Sequence, residues 1–380
     1  MKHISNFGIF TVLLISSLTI MVGTVIAPSL GRIVSNLKFD YSPGLLITLP
    51  ALGVVVFAPF VGKMLGKLGS IKMLCLGLVP YALLGVAGGF ITNDYVLIAD
   101  RFLLGGATVM LQVSVTSFIV EVFQGPDRMK LIAWQGMSIE LGGVIFLSIG
   151  GILGEWHWQY PFYIYLVALI CLVLVVKTLT KVKKTDHLKD NSTVLKVEHT
   201  SKVRLVFFAS MAAMVLFFVS FVSLPLYLPE AFSFSDSITG YYMAFISLIA
   251  IITASQMPKV VSKLGDGNTV GLGFGCFMFG YIVLAMFTSL PLLILVAILI
   301  GIGFGFTIPL LNHMMIEASS SKNLGKNLGL YSMGVFGGQF LSTFIEYLSH
   351  DYAVIFGCAA AMALLFGVVL ILAFKKVDAN

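Results

Sequence analysis

The chain has 380 residues, of which 58% are hydrophobic, 11% charged and 38 glycine, and its mean hydropathy is +1.02. Such a composition cannot cover a soluble surface, which sets soluble enzymes aside. A formal charge of +6 does not suggest nucleic acid, because the Lys and Arg residues sit in short breaks between long apolar runs.

A bilayer crossing takes about 20 apolar residues, since hydrocarbon offers no partner to exposed backbone amides and carbonyls. In chain order the runs that qualify are 7–30, 43–64, 71–92, 95–122, 129–153 and 158–179, then 204–229, 238–260, 268–288, 291–316, 324–346 and 351–374. The expected fold is an all-α membrane protein of twelve transmembrane helices in two pseudo-symmetric six-helix bundles. Residues 1–179 form the N-terminal bundle, 180–203 a cytoplasmic linker and 204–380 the C-terminal bundle. The linker is rich in Lys with Asp186, Asp190 and Glu198, and reads as a hydrated tether, with a docking or regulatory segment as the alternative.

Twenty of the 23 Lys and Arg residues fall on one alternating side of these runs, the exceptions being Arg32, Lys38 and Arg101. Breaks on the other side carry Asp40, Asp94, Glu155, Glu230, Asp236 and Asp351. Positive charge stays on the cytoplasmic side, so both termini are expected there. Lys2 before an apolar run also resembles a secretory signal, but no small-residue cleavage pattern follows and an uncleaved first helix is expected. Cys75, Cys171, Cys276 and Cys358 lie in apolar runs without paired or metal-like spacing and read as small hydrophobes, so neither metal nor cofactor is expected.

The halves look duplicated. Lys67-Leu68-Gly69 recurs as Lys263-Leu264-Gly265 at an offset of 196, Gly105 maps to Gly301 at the same offset, and Gly142-Gly143 to Gly337-Gly338 at 195. Repeats joined at a central pathway are a physical basis for alternating access.

Several segments carry recognisable patterns. After the second run comes Gly62-Lys63-Met64-Leu65-Gly66-Lys67-Leu68-Gly69-Ser70-Ile71-Lys72, and the fourth run holds Asp100-Arg101-Phe102-Leu103-Leu104-Gly105-Gly106. The fifth has Gly142 and Gly150-Gly151, followed by Trp156-His157-Trp158-Gln159-Tyr160-Pro161-Phe162. With two six-span halves, the chain resembles the major facilitator superfamily of secondary transporters, and in particular its bacterial proton-coupled multidrug and small-molecule efflux branch, over essentially its whole length. Departures from the family pattern are Gly66 where an aspartate is usual, Ile71 where the first of two bases is usual, and Phe146-Leu147 where a Gly-Pro pair is usual. The resemblance implies a gating role for Gly62, Lys67, Gly69 and Lys72, with plain positive-inside anchoring as the alternative. Gly105, Gly142, Gly150 and Gly151 are expected to permit close helix approach.

Arg101 falls roughly 9 Å into the fourth run, where a cation must snorkel, pair or face a watery interior. It is expected to face the pathway or support proton coupling, with snorkelling as the alternative; Asp100, adjacent but on another face, need not be its partner. Glu140 lies roughly 16 Å along the fifth run, close to mid-membrane. Surroundings that alternate between wet and dry would let it bind and release a proton; the alternative is a structural acid hydrogen-bonded to a neighbouring helix. Trp156, Trp158 and Tyr160 fit an aromatic anchor at headgroup level, with His157 interfacial.

The tenth run, Gly301-Ile302-Gly303-Phe304-Gly305-Phe306-Thr307-Ile308-Pro309, lacks the lysine and strand context of a phosphate loop and reads as close helix contact with a kink at Pro309. Asn312, His313 and Glu317 follow; His313 and Glu317 share a face and could relay protons or gate, or be an ordinary polar helix end. If the first, fourth, seventh and tenth helices line the cavity, as the resemblance implies, its candidates include Ser17, Thr24, Gln112, Tyr227, Asn312 and His313, with Gln339 a pore-facing residue of the eleventh. The expected function is export of small organic, amphipathic or cationic compounds coupled to proton influx, by a monomer in a bacterial plasma membrane. Its partners are the solute, protons and membrane lipids, with no nucleic acid, and a proton gradient is the energy source. The rivals are export of a metal-chelating metabolite or lipid-linked product, import of a nutrient or organic anion with Arg101 meeting the anion, and a non-transporting sensor.

Overall fold

A computed structural model describes residues 4–180, 200–320 and 323–378. Residues 181–199, which make up most of the expected linker, lie outside the described residues, as do Lys2 and Lys322. Among the described residues, twelve helices are long and apolar enough to cross a membrane. They are α1 (Asn6–Leu37), α2 (Leu45–Leu68), α3 (Ser70–Ala87), α4 (Asp94–Val122), α5 (Gly125–Trp156), α6 (Tyr160–Thr178), α7 (Thr200–Phe232), α8 (Asp236–Leu264), α9 (Asp266–Met286), α10 (Leu290–Ala318), α11 (Leu324–Tyr347) and α12 (Tyr352–Val377).

Local chemistry sets the ends. Ser5 accepts from the Gly8 amide at 3.1 Å to cap α1, and Asn93 accepts from the Val96 amide at 3.1 Å to cap α4. The α2–α3 connection turns on Gly69 at φ +77°, and the α8–α9 connection on Gly265 at φ +79°. That left-handed backbone explains why Lys-Leu-Gly recurs: each glycine ends one helix and opens the next. The first span runs past its expected end at 30, because Pro28 initiates a 3-10 turn (Ala27–Ser29) and a further helix (Leu30–Leu37) instead of stopping the chain.

Two compact units emerge, one comprising Met1–Lys189 with Ser235–Ala244, the other Asp190–Phe234 with Phe245–Asn380. Within unit 1, α2 and α4 meet at Gly105, where a Cβ would stand 2.0 Å from the Pro50 carbonyl oxygen. α1 and α5 meet at Gly142, whose Cβ would lie 2.7 Å from Ser17 Cβ, and at Gly150, 2.1 Å from the Val25 carbonyl oxygen. Within unit 2, a Cβ on Gly301 of α10 would stand 2.8 Å from the Ile246 carbonyl oxygen of α8. Gly105 and Pro50 are both displaced by 196 from Gly301 and Ile246, so the repeat read from single glycines is a repeated helix contact. A Cβ on Gly338 of α11 would meet the Met211 carbonyl oxygen of α7 at 2.3 Å, matching the α1–α5 approach of unit 1. Apolar lipid gives little drive for helices to associate, so close van der Waals contact at small residues takes over that role.

A second repeated device escaped the sequence reading. Tyr81 of α3 donates to the Leu18 carbonyl of α1, and Tyr281 of α9 to the Leu216 carbonyl of α7. Both phenols are fully buried, and each ties a third helix to the first of its unit.

Candidate functional site

Glu140 is the sixteenth residue of the 32-residue α5, about 22 Å along the helix from Gly125. It is half-exposed on the chain's own surface and makes no hydrogen bond or ion pair among the described residues. Its polar neighbours on α5 differ. Gln135 donates to Thr116 of α4 at 3.0 Å, and Ser138 donates to the Leu13 carbonyl of α1 at 3.0 Å. The alternative of an acid hydrogen-bonded to a neighbouring helix therefore has no partner residue here. Seven and eleven residues on, Leu147 and Gly151 share the face of Glu140 by helical period. On that face packs the start of α8, where a Cβ on Gly240 would lie 2.5 Å from the Leu147 carbonyl oxygen and 3.2 Å from Gly151 Cα.

Arg101 differs from expectation. Its side chain is 1% exposed, and its Nη2 and Nε donate to Asp100 Oδ2 at 2.7 and 3.0 Å. Nη2 also reaches the carbonyl oxygens of Leu84 at 2.8 Å and Gly85 at 3.4 Å on α3. The guanidinium carbon lies 5.7 Å from the Phe162 ring centroid and 5.9 Å from that of Tyr165, both on α6. Gly88 opens the space, since a Cβ there would fall 1.8 Å from Nη2. Asp100 is thus the partner of Arg101 after all. Their Cα–Cβ bonds diverge, but the long arginine side chain folds back to the carboxylate, and in a dry site the charge leaves it little choice. Arg101 neither snorkels nor faces an open pathway, and none of its contacts is with Glu140.

The other expected residues scatter. Ser17 and Thr24 are buried, their hydroxyls donating to the Leu14 and Ile20 carbonyls of their own helix. Gln112 is half-exposed on α4, and Gln339 is buried on α11. Asn312, His313 and Glu317 are exposed near the end of α10, with His313 Nε2 and Glu317 Oε1 3.2 Å apart. Pro309 lies inside α10, and the preceding Ile308 carbonyl accepts from Tyr331 of α11 at 2.8 Å. Tyr227, expected beside the substrate, is 6% exposed and packs with Tyr352 and Phe356 at 5.2 Å between ring centroids. Gly62, Lys67 and Lys72 are exposed, and a Cβ on Gly62 would meet nothing within 4 Å. At that connection Glu121 of α4 accepts from Ser70 at 2.7 Å and Ser117 at 3.2 Å, so an acid reaches the start of α3 although Gly66 replaces the usual one.

Arg32, an exception to the charge rule, also acquires a reason. Its Nη1 donates to the Gly154 and Glu155 carbonyls at the end of α5, at 3.1 and 3.2 Å, and lies 3.4 Å from Asp236 Oδ2 at the start of α8. Glu155 in turn accepts from Ser235 Oγ at 3.0 Å and the Ser237 amide at 3.2 Å. A cation thus meets the carbonyl end of α5, and a carboxylate meets the amide end of α8. Among the described residues no group of three or more His, Cys, Asp or Glu is disposed to hold a metal ion.

Two repeated sets of helix contacts and twelve spans define a polytopic membrane protein built from two related halves. The chain belongs to the Major Facilitator Superfamily, whose family model matches residues 12–343 and again 206–379. It is 28% identical to the tetracycline resistance protein, class B, of Escherichia coli over 61% of this chain and 60% of that one. With multidrug resistance protein 2 of Bacillus subtilis it shares 24% identity over 63% and 62% of the two chains. The matches thus span about three fifths of the length of these curated relatives. Among solved structures, a nucleoside transporter, NupG, superposes with a TM-score of 0.78 at 15% identity, covering 97% of this chain and 100% of that one. A peptide transporter, POT, gives 0.77 at 14% identity, covering 97% and 94%. At these identities the solved structures speak for the fold alone.

Proposed function

We propose that the protein is a secondary active exporter, moving small organic, amphipathic or cationic compounds out of a bacterial cell in exchange for protons by alternating access. Coupling rests on one observation, an acid at the middle of α5 with no hydrogen bond or ion pair among the described residues. An unpaired carboxylate is costly in hydrocarbon, so the group carries a proton when its surroundings are dry and releases it when water arrives. In the cycle, a proton from outside neutralises Glu140; inward opening then lets the proton leave and substrate enter. The repeats at 1–179 and 204–380 are the bodies that move, and 180–203 joins them.

Export is favoured by relatives named for resistance to tetracycline and to multiple drugs, since a carrier protects a cell by moving a compound outward. The importer reading needed Arg101 to meet an anion, and its guanidinium is engaged with Asp100 and two α3 carbonyls. The positive-inside pattern supports cytoplasmic termini in the plasma membrane, and a monomer suffices for the cycle. The test is uptake of a panel of organic cations into inside-out membrane vesicles. Acidifying the lumen should drive accumulation, and accumulation that persists after the gradient is collapsed would sink the coupling.

A further inference from the structure

α8 is divided between the two units: its start belongs to unit 1, with Ser235–Ala244, and from Phe245 onward it belongs to unit 2. We propose that this start is a detachable strap over the outer side of Glu140, fastened by Arg32 and Glu155 and released when water takes their place.

The seat of the strap is glycine on glycine. A Cβ on Gly151 of α5 would stand 2.5 Å from the Asp236 carbonyl oxygen and 3.2 Å from Gly240 Cα, so backbone lies on backbone. Such a contact is close but buries little side-chain surface, and parting it asks less than opening a packed core. The fastening is polar and wet. Arg32, its side chain 49% exposed, reaches from α1 to the Gly154 and Glu155 carbonyls and to Asp236 Oδ2 on the strap. Glu155, exposed at the end of α5, accepts from Ser235 Oγ and the Ser237 amide on the strap. Polar contacts at exposed positions exchange with water at small net cost, so both can open and remake. Arg101 and Asp100 are the contrast: their side chains are 1% and 4% exposed, and water has no access to replace either. Leu147 and Gly151, under the strap, share the face of Glu140 toward the outer end of α5. Lifting the strap therefore uncovers α5 between the acid and the outer water, a consequence for proton entry that rests on the export reading.

Val144, half-exposed and one turn outward of Glu140, is the reporter position for the test. In intact cells, Val144→Cys is treated with a membrane-impermeant cationic thiosulfonate, and its modification rate is read against the parent, whose four cysteines lie in spans, as background. Modification from outside should be slow. Adding Gly240→Leu, which cannot seat, should speed it about tenfold or more, and adding Arg32→Gln or Glu155→Gln about 3- to 10-fold. Lys38→Gln, which removes the other outer cation, should leave it within about twofold. Cooperative melting of each purified variant separates release of the strap from misfolding. A rate unchanged by Gly240→Leu would mean that the strap covers nothing, and a rate raised by Gly240→Leu but unchanged by both Arg32→Gln and Glu155→Gln would mean that these residues do not fasten it; either result overturns the proposal. The assay uses neither solute nor proton gradient, so failure of the strap and failure of proton coupling are separate results.

Discussion

Two ionisable residues within the spans, Glu140 near the middle of α5 and Arg101 in the first third of α4, have opposite environments. Arg101 is enclosed by α3, α4 and α6 and paired with Asp100, which makes it a tie within unit 1. Removing one partner of such a buried pair strands the other. Arg101→Met should therefore destabilise the protein by about 3–5 kcal/mol, and adding Asp100→Asn should recover part of the loss. Thermal melting of the purified variants checks both; an unchanged melting temperature for Arg101→Met would contradict the role. The depth of Arg101 was legible from its position in an apolar run. Its direction was not, because a side chain with four rotatable bonds can reach a carboxylate one residue away or a solvent face with equal ease.

At the scale of elements, glycines set the distances between helices, and their spacing in sequence separates poorly those that matter. Gly105 and Gly62 both stand in family patterns, yet a Cβ on Gly105 would meet the Pro50 carbonyl at 2.0 Å, while one on Gly62 would meet nothing within 4 Å. Gly105→Ala should cost about 1–3 kcal/mol as α2 and α4 are forced apart, and Gly62→Ala should be neutral in the same melting assay. The offset of 196 was readable because both copies keep glycine. The carbonyls that those glycines approach, and the Tyr81 and Tyr281 ties, were not, since a backbone atom has no sequence signature and a tyrosine in an apolar run resembles any core aromatic. Gly240 gives a functional counterpart. If the start of α8 must seat against Leu147 and Gly151 during the cycle, Gly240→Leu should abolish flux in vesicles while the chain still inserts and melts cooperatively. Normal flux in that variant would mean that the contact is dispensable.

For the molecule as a whole, hydropathy and charge were enough to give the number of spans, and the expected boundaries fall within a few residues of the helices except where Pro28 lets α1 continue to Leu37. What apolar runs could not convey is which faces meet, since lipid-facing and packed residues are equally hydrophobic in a membrane. The proposed proton exchange rests on Glu140, so the most direct measurement compares the parent with Glu140→Gln in proteoliposomes, in two modes. One is accumulation of solute driven by an imposed pH gradient; the other is exchange of labelled for unlabelled solute with no gradient. The prediction is that Glu140→Gln loses gradient-driven accumulation and keeps exchange, because the neutral amide stands in for the protonated acid and lets the halves reorient but cannot carry a proton. Gradient-driven accumulation at the parent's level in Glu140→Gln would contradict it.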